Sequence, residues 1–236
     1  MARLQRVSPV DFTVHILIRS NNRQVCFNSS VDYSAYLWWL REYSEKYLVD
    51  VHAWSLLKNH IHLLCTPKIH GGLSRMIQAI GRQYVRFFNK QNKRTGTLWE
   101  GRYRSCLVQA ENYLLDVCKY IEMNPVRLEL ASQASDYKWT SYQVNAKGNP
   151  SALCKPHDQY LNLGDSKEER SKNYRLFCEK NISDETIDEI RKSTNKGLAI
   201  GDEAFKVKVE KKTGRRLRSL KKGRPIGWRK EKNLNK

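Results

Sequence analysis

A chain of 236 residues with a formal charge of +19 is long enough to bury one sizeable core, and its excess of Lys and Arg favours a polyanionic partner, nucleic acid before membrane. Residues 1–6 lack the apolar stretch of a secretory leader, and no apolar run approaches the ~20 residues of a bilayer span. A soluble, cytoplasmic, nucleoid-associated protein is therefore expected, with no membrane partner. The six cysteines stand apart, without a C-x-x-C pair, and read as reduced thiols that fill a core.

In chain order, residues 12–18 are rich in β-formers and run into the polar Arg19–Gln24, a first strand followed by a loop. Asp32 caps a helix to about Tyr47, because Tyr36, Leu37, Leu40, Tyr43, Tyr47 and Leu48 recur at helical spacing. His15 and the Trp38-Trp39 pair are assigned to packing. Residues 51–57 form a second strand, and Lys58-Asn59 turns the chain back into a third, so the two make an antiparallel hairpin. In the third strand His60 and His62 point to one face, while Ile61, Leu63 and Cys65 point to the other. Two neutral imidazoles side by side on a rigid strand serve equally as half of a metal site or as a hydrogen-bonded structural pair. Parity turns Cys65 away from both uses.

Gly71-Gly72 breaks the chain before a second helix over residues 73–89, apolar at Leu73, Met76, Ile77, Ile80, Tyr84, Val85 and Phe88, with Arg75, Arg82 and Arg86 on the other face. Residues 90–101 are basic and turn-prone, with Lys93, Arg94 and Trp99. Residues 102–108, including Arg102 and Arg104, form a fourth strand. A third helix over residues 111–123 stops at Asn124-Pro125, since the residue before proline is steered from helical geometry. This order is a split βαβ pattern: an α+β, ferredoxin-like fold with a four-stranded antiparallel sheet, helices on one face and the other face open.

That domain spans residues 1–145. Residues 146–204 read as a linker and a small helical accessory region, where Ser183 and Asp202 start helices that Gly197 and Gly214 close. Residues 205–236 hold 14 Lys or Arg against Glu210 and Glu231, a basic DNA-binding tail expected to be loose without nucleic acid. Within it Arg215, Arg216 and the Gly223-Arg224-Pro225 triplet suit a polybasic tail or an AT-hook-like arm; both predict affinity that falls with salt.

The third helix carries groups that complement the histidines. Tyr120 and Asn124 are four residues apart and share a helical face. Laid over the edge that carries His60 and His62, that face gives a cation held by two imidazoles and the Asn124 oxygen, with a phenol beside it. Such a set suits phenolate attack on a phosphodiester. A free phenol ionises near pH 10, so the cation and nearby Lys or Arg must assist. Tyr113, two turns earlier on the same stripe, is the rival nucleophile, and Asn124 also has the ordinary use of a helix C-cap.

His60-Ile61-His62, Gly96-Thr-Leu-Trp-Glu-Gly-Arg-Tyr-Arg104 and Asn112-Tyr-Leu-Leu-Asp-Val-Cys-Lys-Tyr-Ile-Glu-Met-Asn-Pro-Val-Arg127 together resemble the REP-associated tyrosine transposases, single-tyrosine members of the HUH class (His, hydrophobic residue, His). The resemblance covers most of residues 8–145. It implies an HUH fold, Mg2+ or Mn2+ as cofactor, and cleavage and rejoining of single-stranded DNA through a 5′-phosphotyrosine at hairpins from repetitive extragenic palindromes. By the same resemblance Tyr120 is the nucleophile and His60 and His62 are metal ligands. Asn124 stands where better-known single-tyrosine relatives have a Gln ligand. Arg82, Arg86, Lys93, Arg94, Arg102 and Arg104 are then phosphate contacts and Trp99 a stacking platform. Two other readings remain: a non-catalytic DNA- or RNA-binding regulator on the same fold, and a structural zinc protein. Whether the chain acts as a monomer or a homodimer stays open.

Overall fold

The computed structural model describes residues 6–219; the triplet containing Arg224 lies outside them. Strands β1 (Thr13–Arg19), β2 (Val49–Leu57), β3 (His60–Pro67) and β4 (Arg104–Val108) pair antiparallel in the order β2-β3-β1-β4. Between them run α1 (Ser30–Lys46) and α2 (Gly72–Gln91), and α3 (Ala110–Glu122) follows β4. The α+β class is as expected. One helix start differs: α1 begins after Ser29, and Asp32 reaches back to accept from the Ser29 and Asn28 amides at 2.9 and 2.7 Å. A carboxylate in the first turn satisfies orphan amides as well as one placed at the cap itself.

The sheet has five strands rather than four, and neither face is open. The fifth strand, β5 (Ala199–Ile200), lies parallel to β4, a pairing of two residues too short to carry a periodic signal. One face holds Val14, Ile16, Ile18, Ile61, Leu63 and Cys65 against Tyr36, Leu40, Met76, Ile80 and Tyr84 of α1 and α2. The other holds Leu64, Cys106 and Val108 against α3 and against Tyr174, Cys178 and Ile190. Those last three belong to α7 (Lys167–Glu179) and α8 (Asp184–Lys196), so the accessory region covers the second face. The short helices α4 (Asn124–Arg127), α5 (Tyr142–Asn145) and α6 (Asp158–Leu161) connect α3 to α7.

Ser183 caps α8 by accepting from the Thr186 amide at 3.3 Å, and Gly197 ends it at φ 67°, a left-handed value that glycine adopts without strain. The first part of the tail is docked, not loose. It forms α9 (Glu203–Thr213), and beyond it the Leu217 carbonyl accepts from the Ala199 amide at 2.9 Å, with Leu217 buried. All six cysteines are buried free thiols, and among the described residues no helix is long and apolar enough to cross a membrane.

Under the second face Glu122 is fully buried and accepts from Ser141 Oγ, from Asn145 Nδ2 at 2.7 Å and from Tyr174 Oη at 2.8 Å. Burial outweighs these donors and pushes the carboxyl from the ordinary 4.5 up to about 7. A carboxyl raised in the folded state stabilises it below the unfolded value and loses that contribution as pH rises through the folded one. Stability should therefore drop by about 3 kcal/mol between pH 4.5 and 7 on account of this group alone. Urea unfolding of wild type and Glu122→Gln at pH 5 and 8 checks this: the variant should lack that component, and identical slopes would mean Glu122 is ionised throughout.

Candidate active site

The β1–β3 register sets Leu17 opposite His62 and Arg19 opposite His60. Both histidines face α3, as strand parity requires. Their rings lie 5.2 Å apart at 77°, and His62 is buried. The Tyr120 ring meets the same group edge-on, 5.7 Å from the His62 ring and 5.9 Å from that of His15. Thus the predicted nucleophile meets His62, one of the histidine pair, under α3.

Asn124 stays on the Tyr120 stripe although Pro125 follows it. Met123 keeps near-helical angles, φ −86° and ψ −1°, and α4 begins at once with the proline in its first turn, where its missing N–H is not needed. The helical direction therefore continues through residues 120, 124 and 127. The Arg127 guanidinium sits 4.4 Å above the Tyr120 ring centroid. Its Nη2 donates to the Tyr120 carbonyl and, at 2.8 Å, to Asn124 Oδ1. Asn124 Nδ2 and Arg127 Nε are buried without partners.

Burial lowers the His60 pKa to about 4, with the Arg19 charge adding to it. Burial likewise takes His62 well below 6.5, helped by His15, His60, Arg127 and Arg19. Both imidazoles are thus neutral at pH 7, the form that ligates a cation. Two adjacent neutral imidazoles, 5.2 Å between rings, suit two ligands of a divalent ion that would take others from phosphate and water, while Asn124 Oδ1 accepts from Arg127 and keeps one lone pair. Among the described residues no group of three His, Cys, Asp or Glu gathers to hold a metal, so a closed structural zinc site has no ligand set there.

Burial also takes His15 to about 3 and His52 to about 4. Each such imidazole takes its proton at 6.5 when unfolded but refuses it when folded, so stability is lost as pH falls from 6.5 toward 4. These four imidazoles, with His157 lowered by burial in the same direction, oppose Glu122 and Asp116, whose carboxyls burial raises. Near pH 5.5 unfolding should take up about three protons net, a slope of about 4 kcal/mol per pH unit. A urea midpoint that stays flat between pH 7 and 5 would contradict these burials.

Six of the predicted DNA contacts, Arg82, Arg86, Trp99, Arg102, Arg104 and Arg215, line two clefts. One, of about 490 Å3, opens beside the histidine face and is lined by Arg19, Arg102, Arg104, Thr194, Lys196 and Arg215. The other, of about 890 Å3, lies over α2 and holds Arg82, Arg86 and Trp99. They share Arg6, Gly101, Arg102 and Tyr103, so the segment before β4 links them. Arg104 donates to Asn195 Oδ1 at 2.7 Å and pairs with Glu100 at 3.2 Å. Trp99 packs on Tyr84 with ring centroids 5.9 Å apart, its indole N–H buried and unpartnered. Lys93 is exposed just past α2, Arg94 lies 5.6 Å from the Phe88 ring, and Arg216 is exposed after α9. Arg82, Arg86, Lys93, Arg94 and Trp99 are therefore not brought to the histidine pair.

Two residues at the site were not singled out by sequence reasoning. Arg127 carried a signal, since its spacing from Tyr120 and Asn124 continues one helical stripe. His15, assigned to packing, hydrogen-bonds His62: His15 Nε2 lies 2.9 Å from His62 Nδ1. Its parity on β1 placed it on one definite face, but only the β1–β3 register says which.

The family model "Transposase IS200 like" matches residues 9–124. The fold is similar to a solved REP-associated tyrosine transposase bound to a REP hairpin, at 16% identity and a TM-score of 0.51, covering 66% of this chain and 93% of that one. A putative transposase from Deinococcus radiodurans R1 aligns at 18% identity over 51% of this chain and 96% of its own, with a TM-score of 0.37. No curated protein matches the chain.

Proposed function

Because this chain belongs, through residues 9–124, to the IS200-like transposase family, we propose that it cleaves and rejoins single-stranded DNA at hairpin sequences with Tyr120 as nucleophile. The observation that carries this reading is the Tyr120 ring set against His62 and His15 with the Arg127 guanidinium above it. The phenolate oxygen attacks the phosphorus, an O–P bond forms to Tyr120 and the P–O3′ bond breaks. The strand that leaves takes up a proton as a free 3′-hydroxyl, and the other strand remains as a 5′-phosphotyrosine. Reversal by a second 3′-hydroxyl rejoins the strands.

His60, His62 and Asn124 Oδ1 are the groups that hold Mg2+ or Mn2+, which when bound supplies polarisation of the scissile phosphate. The hairpin as substrate rests on the similar transposase, which is bound to a REP hairpin. The basic cleft beside the histidines suits a single strand leading away from the stem, and the linked cleft over α2 suits the stem's phosphates.

A labelled hairpin oligonucleotide with a single-stranded flank, incubated with Mg2+ or Mn2+, should yield a denaturant-resistant adduct that chelator prevents. Binding should weaken with salt at a log–log slope of about −4, for the six cations Arg6, Arg19, Arg102, Arg104, Lys196 and Arg215 on single strand. Tight binding with no adduct under any metal would instead establish a non-catalytic binder.

A further inference from the structure

Beyond the ligands stands a chain of hydrogen bonds whose proton order can be worked out. Thr194 Oγ1 donates its one hydrogen to the Ile190 carbonyl at 2.7 Å. Toward His15 Nδ1, 2.9 Å away, it can only accept, so His15 carries its proton on Nδ1. His15 is 1% exposed with no carboxylate against it, and a ring so placed is neutral and holds one proton. Its Nε2 is therefore bare. His62 Nδ1, 2.9 Å from that nitrogen, must be the donor. The proton of His62 is thus spent on Nδ1, and its Nε2 keeps a lone pair.

His60 reaches the same state by a shorter route. Its Nδ1 lies 2.6 Å from Asn59 Oδ1. The Asn59 amide is oriented by Nδ2 donating to the Arg23 carbonyl at 3.3 Å, so the oxygen faces the ring. Nδ1 again holds the proton and Nε2 is bare. Two rings with matched Nε2 lone pairs can share one cation; a ring flipped to the other tautomer cannot.

We propose that Ile190, Thr194 and His15 form a tautomer relay that fixes His62 as an Nε2 donor, which makes helix α8, outside the family match at residues 9–124, part of the metal site. His15 and Thr194 are positioning residues that act through His62. Cys106 Sγ, 3.2 Å from Thr194 Oγ1, supplies the second donor to that oxygen. The relay rests on the proposed transposase reading for its purpose, but its geometry is independent of DNA.

Long-range 1H–15N spectra of the metal-free protein at pH 7.5 read the tautomers directly. His15, His60 and His62 should each carry the proton on Nδ1; a proton on His62 Nε2 would overturn the relay. Mn2+ titration should show Thr194→Val binding ten- to a hundredfold more weakly, the usual cost of losing a partner behind a metal ligand, and Thr194→Ser binding near wild type. Unchanged affinity and tautomer in Thr194→Val would also overturn it. The wild-type spectrum needs no variant, so the relay is decided even if Thr194→Val fails to fold. A correct His62 tautomer in a protein that forms no DNA adduct would defeat the transposase reading and leave the relay standing; the wrong tautomer in an active protein would do the reverse.

Discussion

Tyr120→Phe should abolish the covalent DNA adduct, lowering its rate by at least about 10^4-fold, the scale on which removing a nucleophile acts. The ring stays, so the contacts with His62, His15 and Arg127 survive and hairpin binding should change little. Tyr113→Phe is the matched control. Tyr113 lies in an acidic setting, where burial and the charges of Glu189, Asp116 and Asp202 raise its pKa, a poor place to ionise a phenol or receive a phosphate. The Tyr113 variant should retain the adduct. Gel analysis with a 5′- and a 3′-labelled hairpin decides between them, and an adduct that survives Tyr120→Phe but not Tyr113→Phe would move the chemistry to the other tyrosine.

Arg127→Ala should cost about a hundredfold in adduct formation. Its guanidinium both covers the Tyr120 ring and binds the Tyr120 carbonyl and Asn124 Oδ1. A partly desolvated cation–π contact and a charged hydrogen bond together are worth about 3 kcal/mol. Arg127→Lys should restore little, because an ammonium cannot cover the ring and reach two oxygens at once. Full activity in the lysine variant would mean that charge alone, not the fork, is required.

Local periodicity made much of the site legible. Strand parity alone placed His60 and His62 on one face, and helical spacing alone placed Tyr120 with Asn124. What joined them, the packing of α3 on the histidine face, is a tertiary fact that the split βαβ order supplied only by analogy. His15 was legible as a strand residue yet not as a partner of His62, because the contact spans 47 residues and depends on register. Thr194 lies further still, on a helix whose caps were readable but whose docking was not. The covering of the second sheet face also escaped: α7 is a polar helix with three buried residues, Ser171, Tyr174 and Cys178, too thin a stripe to announce a core-facing role. Trp99 shows a different ambiguity: an indole in a basic segment suits base stacking, and this half-buried one packs on Tyr84 while lining the α2 cleft, a second contact that nothing local announces.

The central claim is that a phenol oxygen, and one particular phenol, takes the phosphate. Digesting the metal-dependent adduct and sequencing the modified peptide by mass spectrometry tests it most directly. The account predicts a nucleotide phosphate on Tyr120 and on no other side chain; a phosphate on Tyr113, on a serine, or on no residue at all would contradict it.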